Sequence, residues 1–443
     1  MGNNSFIDKF SAVAGRIGQQ RHLGAVRDGF VSLMPLMIVG SLVTLINNLP
    51  IGRNTLLKEK LAEIPGLAWI TTINGNVWWG TFGMISLFSV MAIAYYLAKS
   101  YEGNALSAAL VSLAAYLSAV PQMAFITTEA GEEVAGWGFI NYRYTNAQGL
   151  IVGVIIALIG TEIFVRLSRS DKLIIKMPDG VPPAVSRSFA ALIPGVITII
   201  AISFITVMIE LVAKNNVFDL IYENLAKPLA KGSDTWGFGL IIVLLTHVFW
   251  VFGIHGANMF EGVLQTLNLM AVDNNTALLE SGATEGFTYF SKSFLDAFVY
   301  MGGAGVCIGL VIALLVAGKS KQNRMVGRLG LLPSVFNINE PIIFGLPIVL
   351  NPIFAIPFVL APILCFIVAY GASRMGILPA VSVVIPWTTP PILSGLFATN
   401  FKIIGPIIQV INLAISVLVY IPFVKIADRI EMKKEAQQAE AAE

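Results

Sequence analysis

Charge is what this sequence has least of. Lys, Arg, Asp and Glu together make up 12% of its 443 residues, whereas 56% are hydrophobic and the mean hydropathy is +0.78. A soluble globular chain carries about a quarter charged residues, so this one lacks the polar surface to face water on all sides, and its solvent is largely lipid. An excess of one sign is missing too: 28 Lys plus Arg against 26 Asp plus Glu leave a net charge of +2. That is too little for the basic footprint of nucleic-acid binding, which excludes nucleic acid as a partner. Cysteine is scarce. Cys307 and Cys365 sit in apolar runs without metal-ligand spacing, which excludes a disulfide framework and argues against a metal site. Both read as small core hydrophobes, and neither a metal nor another cofactor is expected.

What is present is a succession of apolar runs. A helix crossing the hydrocarbon core needs about 20 mainly apolar residues. Segments 28–49, 77–98, 149–167, 188–213, 296–317 and 401–424 meet that length, and 104–120, 237–254, 256–271 and 352–370 are shorter or more polar candidates. The expectation is an all-α integral membrane protein of about ten transmembrane helices. Residues 1–27 carry Lys9, Arg16, Arg21 and Arg27 and run into the first span without a small-residue cleavage site, so they read as a retained cytoplasmic amphipathic lead-in.

Two further apolar stretches hold too much proline and glycine for a continuous helix. One covers 333–351; the other, 376–400, contains Pro379, Pro386, Pro390, Pro391 and Gly395. Broken backbone at membrane depth is tolerated only where protein or a water-filled cavity satisfies it, so both are expected to be re-entrant hairpins lining a site.

Most of the 28 Lys and Arg fall on segments that are inner if the N-terminus is inside; that bias puts both termini in the cytoplasm. The weakest point is 214–236, an outer stretch with three lysines that reads as an interfacial amphipathic linker. The chain then divides into an N-terminal five-helix half at 28–213, a C-terminal substrate-binding half with both hairpins at 237–424, and a cytoplasmic tail at 425–443. Segment 121–148 alternates apolar and polar residues around a Gly-containing turn, which fits a small β-hairpin.

Ionisable groups at membrane depth are costly and by default functional. Glu162 and Glu210 lie near span ends and read as interfacial or paired; Asp296 reads as a cap on its span, and His247 as a structural histidine as readily as a functional one. His255 stands between Gly253 and Gly256, which let the backbone break and approach a ligand closely. Glu340 stands in Phe336-Asn-Ile-Asn-Glu-Pro-Ile-Ile-Phe-Gly345, and a carboxylate there must find hydrogen-bond donors or a polar ligand. Sugar hydroxyls are suitable donors. Asn258, Asn337 and Asn339 add the donor and acceptor pairs that match polyols, and Trp250 and Trp387 supply the flat apolar faces on which sugar rings stack.

Asn-Ile-Asn-Glu-Pro-Ile-Ile-Phe-Gly at 337–345, Gly-Ile-His-Gly-Ala-Asn at 253–258, and Ile17-Gly-Gln-Gln-Arg-His-Leu-Gly-Ala-Val-Arg-Asp-Gly-Phe30 ahead of Leu33-Met-Pro-Leu36 resemble the lactose/cellobiose/diacetylchitobiose family of phosphotransferase-system permeases, the enzyme IIC component. The resemblance runs nearly end to end. It implies a homodimer in a bacterial plasma membrane, built mainly on N-terminal-half contacts, that binds a β-linked disaccharide between broken hairpins. The sugar's C6 hydroxyl would be phosphorylated by the phosphocysteine of enzyme IIB, charged through IIA, each a separate chain. Glu340 and His255 would contact that hydroxyl as the catalytic pair. Trp250 and Trp387 would line the sugar and Asn339 would bond to it. The competing expectation is a proton-coupled secondary sugar transporter with Glu340 as proton carrier.

Overall fold

The computed structural model describes residues 20–47, 57–64, 66–127, 133–175, 177–178, 180–253, 255–346, 348–349 and 351–440; residues 1–19 of the lead-in and the last three of the tail lie outside that set. The chain forms two compact units. One comprises Gln19–Gly40 and Thr72–Ala230; the other includes Ser41–Thr71 and Lys231–Glu443, so 41–71 groups with the C-terminal residues.

The helices up to the linker are α1 (Arg21–Ser32), α2 (Met34–Asn47), α3 (Leu57–Glu63), α4 (Ala68–Thr81), α5 (Ile85–Ser100), α6 (Ala105–Ala119), α7 (Leu150–Leu167), α8 (Pro183–Ala190) and α9 (Leu192–Ala213). Between α6 and α7, strands β1 (Met123–Thr127) and β2 (Glu133–Trp137) pair antiparallel, Met123 opposite Trp137. The expected hairpin forms, and its turn at 128–132 lies outside the described residues. Small side chains let these helices approach: Ser112 of α6 meets Thr161 of α7 hydroxyl to hydroxyl at 3.2 Å. Glu162 accepts from Tyr101, His22 and Arg166, the paired role expected of it. On α9, Leu192, Val196, Ile200, Phe204, Val207 and Leu211 are all exposed, at a spacing that gathers them on one apolar face.

The linker folds into α10 (Val217–Ile221), a π-helical turn and α11 (Lys227–Ser233). Beyond it come α12 (Trp236–Val251), α13 (Gly256–Glu280), α14 (Lys292–Phe298), α15 (Cys307–Ala317), α16 (Lys321–Val335), α17 (Glu340–Gly345), α18 (Pro352–Arg374), α19 (Leu393–Ala398) and α20 (Ile404–Glu440). Among the described residues five helices are long and apolar enough to cross a membrane: Ala68–Ser100, Ala147–Leu167, Val185–Ala213, Ile353–Arg374 and Ile404–Lys433. Two bent pairs raise the number to 7: Arg21–Ser32 with Met34–Thr44, and Val217–Ser233 with Trp236–Val251, bent by 43° and 77°.

The expected continuous span at 296–317 is a correction. The helix stops at Phe298, and Gly302, Gly303 and Gly305 all take positive φ before α15 starts. The freed peptide groups are met from α20 and from Asn337. Gln409 donates to Ala297 O at 2.6 Å, Asn412 to Phe298 O at 2.8 Å and Tyr420 to Gly305 O at 2.6 Å, while Asn337 Oδ1 accepts from Gly302 N at 2.6 Å. Glycine at 303 is obligatory: a Cβ there would lie 2.8 Å from both Asn337 O and Asn339 Cγ. The proline-rich segment 376–400 is held likewise, with Gln409 Oε1 accepting from Ile392 N and Gly395 N. Behind this frame Phe366 stacks on Tyr370 at 5.1 Å, with Trp236 and Phe294 edge-on to Tyr370.

Candidate functional site

Two groups of candidate residues form in the C-terminal unit. The first surrounds the turn between α12 and α13. His255 is the N-cap of α13: its Nδ1 accepts from Asn258 N at 3.3 Å, so in the neutral ring Nε2 carries the proton. Its ring lies 4.4 Å from that of buried Trp250. Gly256 is fixed by sterics, because a Cβ there would fall 1.9 Å from Thr246 O. The side chain of Asn258 is on the exposed side of the turn.

The second group follows α16. After α16 the chain turns through Asn337, at φ 62°, and α17 begins at half-buried Glu340. Asn337 is spent on backbone: besides the bond to Gly302, its amide donates to Trp387 O and Thr389 O. It clasps the turn after α16 to the segment of Trp387 and Thr389. Asn339 donates to Ala304 O at 3.0 Å. Cys307 lies beside Asn339 and in the field of Glu340. The Trp387 side chain is 39% exposed. The groups meet where Gly253 packs on Val349, which a Cβ on Gly253 would approach to 3.3 Å.

Asp296 departs from expectation. Asp296 does not cap a helix: Ser291 caps α14, and Asp296 accepts from Lys292 at 2.7 Å. Lys292 belongs to the same group. Its side chain is only 13% exposed, and it stands 3.8 Å from Glu261 of α13 as well. His247 is fully buried, with Nδ1 against Val243 O at 2.6 Å. The one sequence signal for the ion group was the Lys292-Asp296 spacing, which puts both on one helical face. Among the described residues no group of three or more His, Cys, Asp or Glu could hold a metal ion.

Comparison with known proteins supplies the wider setting. A family profile described as "Phosphotransferase system, EIIC" matches residues 27–362. The lichenan permease IIC component of Bacillus subtilis (strain 168) is 38% identical over 436 residues, 98% of this chain and 95% of that one. The cellobiose-specific EIIC component of Geobacillus stearothermophilus is 37% identical over 433 residues, 97% of this chain and 94% of the relative. Among solved structures, the crystal structure of the transporter ChbC, the IIC component from the N,N'-diacetylchitobiose-specific phosphotransferase system, superposes with a TM-score of 0.91 at 37% identity, covering 97% and 99% of the two chains.

Proposed function

This chain belongs to the phosphotransferase-system EIIC family, and on that premise we propose that it binds a β-linked disaccharide, carries it across a bacterial plasma membrane and presents its C6 hydroxyl for phosphorylation. The relatives named for cellobiose and diacetylchitobiose support the substrate class. The observation that carries the reading is the packing of the Trp250–His255 pair, through Gly253 and Val349, on the hairpin that bears Glu340 and is clasped by Asn337 to the segment of Trp387. Flat apolar faces beside a carboxylate and an imidazole suit a sugar with one reacting hydroxyl.

In this mechanism the sugar lies against Trp250 and Trp387, within reach of Asn258 and Asn339, and Asn337 holds the two hairpins in register. Glu340 accepts the hydrogen bond of the C6 hydroxyl, and His255 orients it. The hydroxyl oxygen bonds to phosphorus as the S–P bond of a IIB phosphocysteine breaks, and Glu340 takes the proton. Cys307 and Cys365 are both buried, unsuited to dock with a soluble phosphate donor, so the phosphocysteine comes from IIB on the cytoplasmic side. Phosphoryl transfer asks chiefly for positioning and charge stabilisation, and the permease contributes the positioning, working as a homodimer. The test is transfer of labelled phosphate from phospho-IIB to cellobiose, N,N'-diacetylchitobiose or lactose in the presence of the purified protein. Labelled sugar phosphate is the expected product, and its absence across the panel refutes the proposal.

A further inference from the structure

Of the seven polar side-chain atoms buried without a hydrogen-bond partner among the described residues of the C-terminal unit, four belong to one neighbourhood: Thr246 Oγ1, His247 Nε2, Trp250 Nε1 and Tyr300 OH. Such atoms are rare, because each forfeits its hydration for nothing in return. Here they are neighbours. Three lie within five residues of α12, and the fourth is brought to them by the ring contact of His247 with Tyr300 at 5.4 Å. The Thr246 hydroxyl lies beside that of Tyr300, and neither has a partner in good hydrogen-bond geometry.

The same residues join the proposed site to the buried ions. Trp250 lies against His255; α13 leads from His255 to Glu261, Glu261 faces Lys292, Lys292 pairs with Asp296, and α14 leads on to Tyr300. Tyr300 returns to His247 and so to α12. Contacts and helices thus close a ring whose polar members are ion-paired on one side and unpartnered on the other. The unpartnered set is chemically mixed. Trp250 Nε1 only donates, the two hydroxyls donate or accept, and His247 Nε2 accepts in the neutral ring because Nδ1 is spent on Val243 O. Adjacent hydroxyls of a sugar ring match that mixture, since each both donates and accepts; a carboxylate or phosphate, which only accepts, does not.

We infer that Thr246, His247, Trp250 and Tyr300 form a hydroxyl-binding subsite for the sugar, held in shape by the Glu261–Lys292–Asp296 group. The inference rests on the proposed sugar-permease reading and assigns to that site residues outside the Asn-Glu-Pro and Gly-His-Gly motifs.

Tyr300→Phe and Thr246→Val test it, because an unpartnered hydroxyl contributes nothing to the unliganded protein but is needed when sugar is bound. The measurement is the thermal midpoint of each purified variant, alone and over a concentration series of cellobiose and N,N'-diacetylchitobiose. The expected result is an unliganded midpoint equal to or above wild type together with affinity weakened by about tenfold for the sugar that stabilises wild type. A wild-type sugar response retained in full by both variants overturns the subsite alone. A lowered unliganded midpoint in both variants assigns the hydroxyls to packing and also overturns it. No stabilisation of wild type by either sugar overturns the sugar reading, and the subsite with it.

Discussion

Glu340 and Asn337 stand three residues apart, yet different changes should separate their roles. Replacing Glu340 by Gln keeps the size and an acceptor oxygen and removes the charge and nearly all basicity. If the carboxylate takes the C6 proton, Glu340→Gln should retain part of its sugar binding and lose about 100-fold or more in phosphorylation, the usual range for a lost general base. Equilibrium binding and transfer from phospho-IIB, measured on one preparation, check this, and near wild-type transfer sinks the catalytic role. Asn337→Ala removes three hydrogen bonds at once and strands Gly302 N, Trp387 O and Thr389 O. A buried polar group left unpaired costs about 1–3 kcal/mol, so the thermal midpoint should fall and binding and transfer should fall together. The sequence exposed Glu340 because a carboxylate in an apolar run is conspicuous. It did not show that Asn337 serves the backbone, since an amide faces ligand or peptide with the same chemistry. The part of Glu261 in the ion group was hidden for a related reason: it reaches Lys292 from another helix, and pairing across helices leaves no local pattern.

At the scale of elements, the continuous helices were legible and the broken ones only partly so. Apolar length marks α7, α9 and the first part of α20 directly, because backbone bonds within a helix need nothing from outside it. Where the helix stops, the hydrogen bonds must come from distant residues, such as Gln409 and Asn412 of α20 for the carbonyls of Ala297 and Phe298. Proline marked the segment at 376–400 in advance. The 299–306 break carries glycine instead, which hydropathy counts as neutral, and so it read as part of a span. Gly303 gives that element its test. It sits at φ 86° and ψ −169°, backbone that is essentially confined to glycine and costs other residues of order 1–3 kcal/mol. A Cβ would also press on Asn337 and Asn339. Gly303→Ala should therefore lower the thermal midpoint and weaken both binding and transfer, unlike the split expected for Glu340→Gln. A Gly303→Ala protein with wild-type stability would show that the loop is free to relax.

The whole molecule has to move a polar sugar through a medium that tolerates little exposed polarity, and its polar groups are arranged accordingly. The 37 residues of α20 extend about 55 Å at 1.5 Å per residue, longer than the roughly 30 Å hydrocarbon core. Its far end carries Asp428, which accepts from Lys319 N, Ser320 N and Asn323 Nδ2 and so fixes the start of α16, the helix leading into the Glu340 hairpin. Within that frame a carboxylate is compatible with two energy sources, phosphate transfer or a proton gradient, because Glu340 can exchange a proton with a sugar hydroxyl or with water. Membership of the EIIC family favours the first. The two predict opposite requirements in membrane vesicles loaded with the soluble phosphotransferase proteins. With phosphate transfer as the driving reaction, uptake of cellobiose should depend on internal phosphoenolpyruvate, persist when an ionophore collapses the proton gradient, and leave sugar phosphate as the internal product, since the added charge keeps the sugar from returning. Accumulation of unmodified sugar that an ionophore abolishes and phosphoenolpyruvate does not affect would make Glu340 a proton carrier and replace this mechanism.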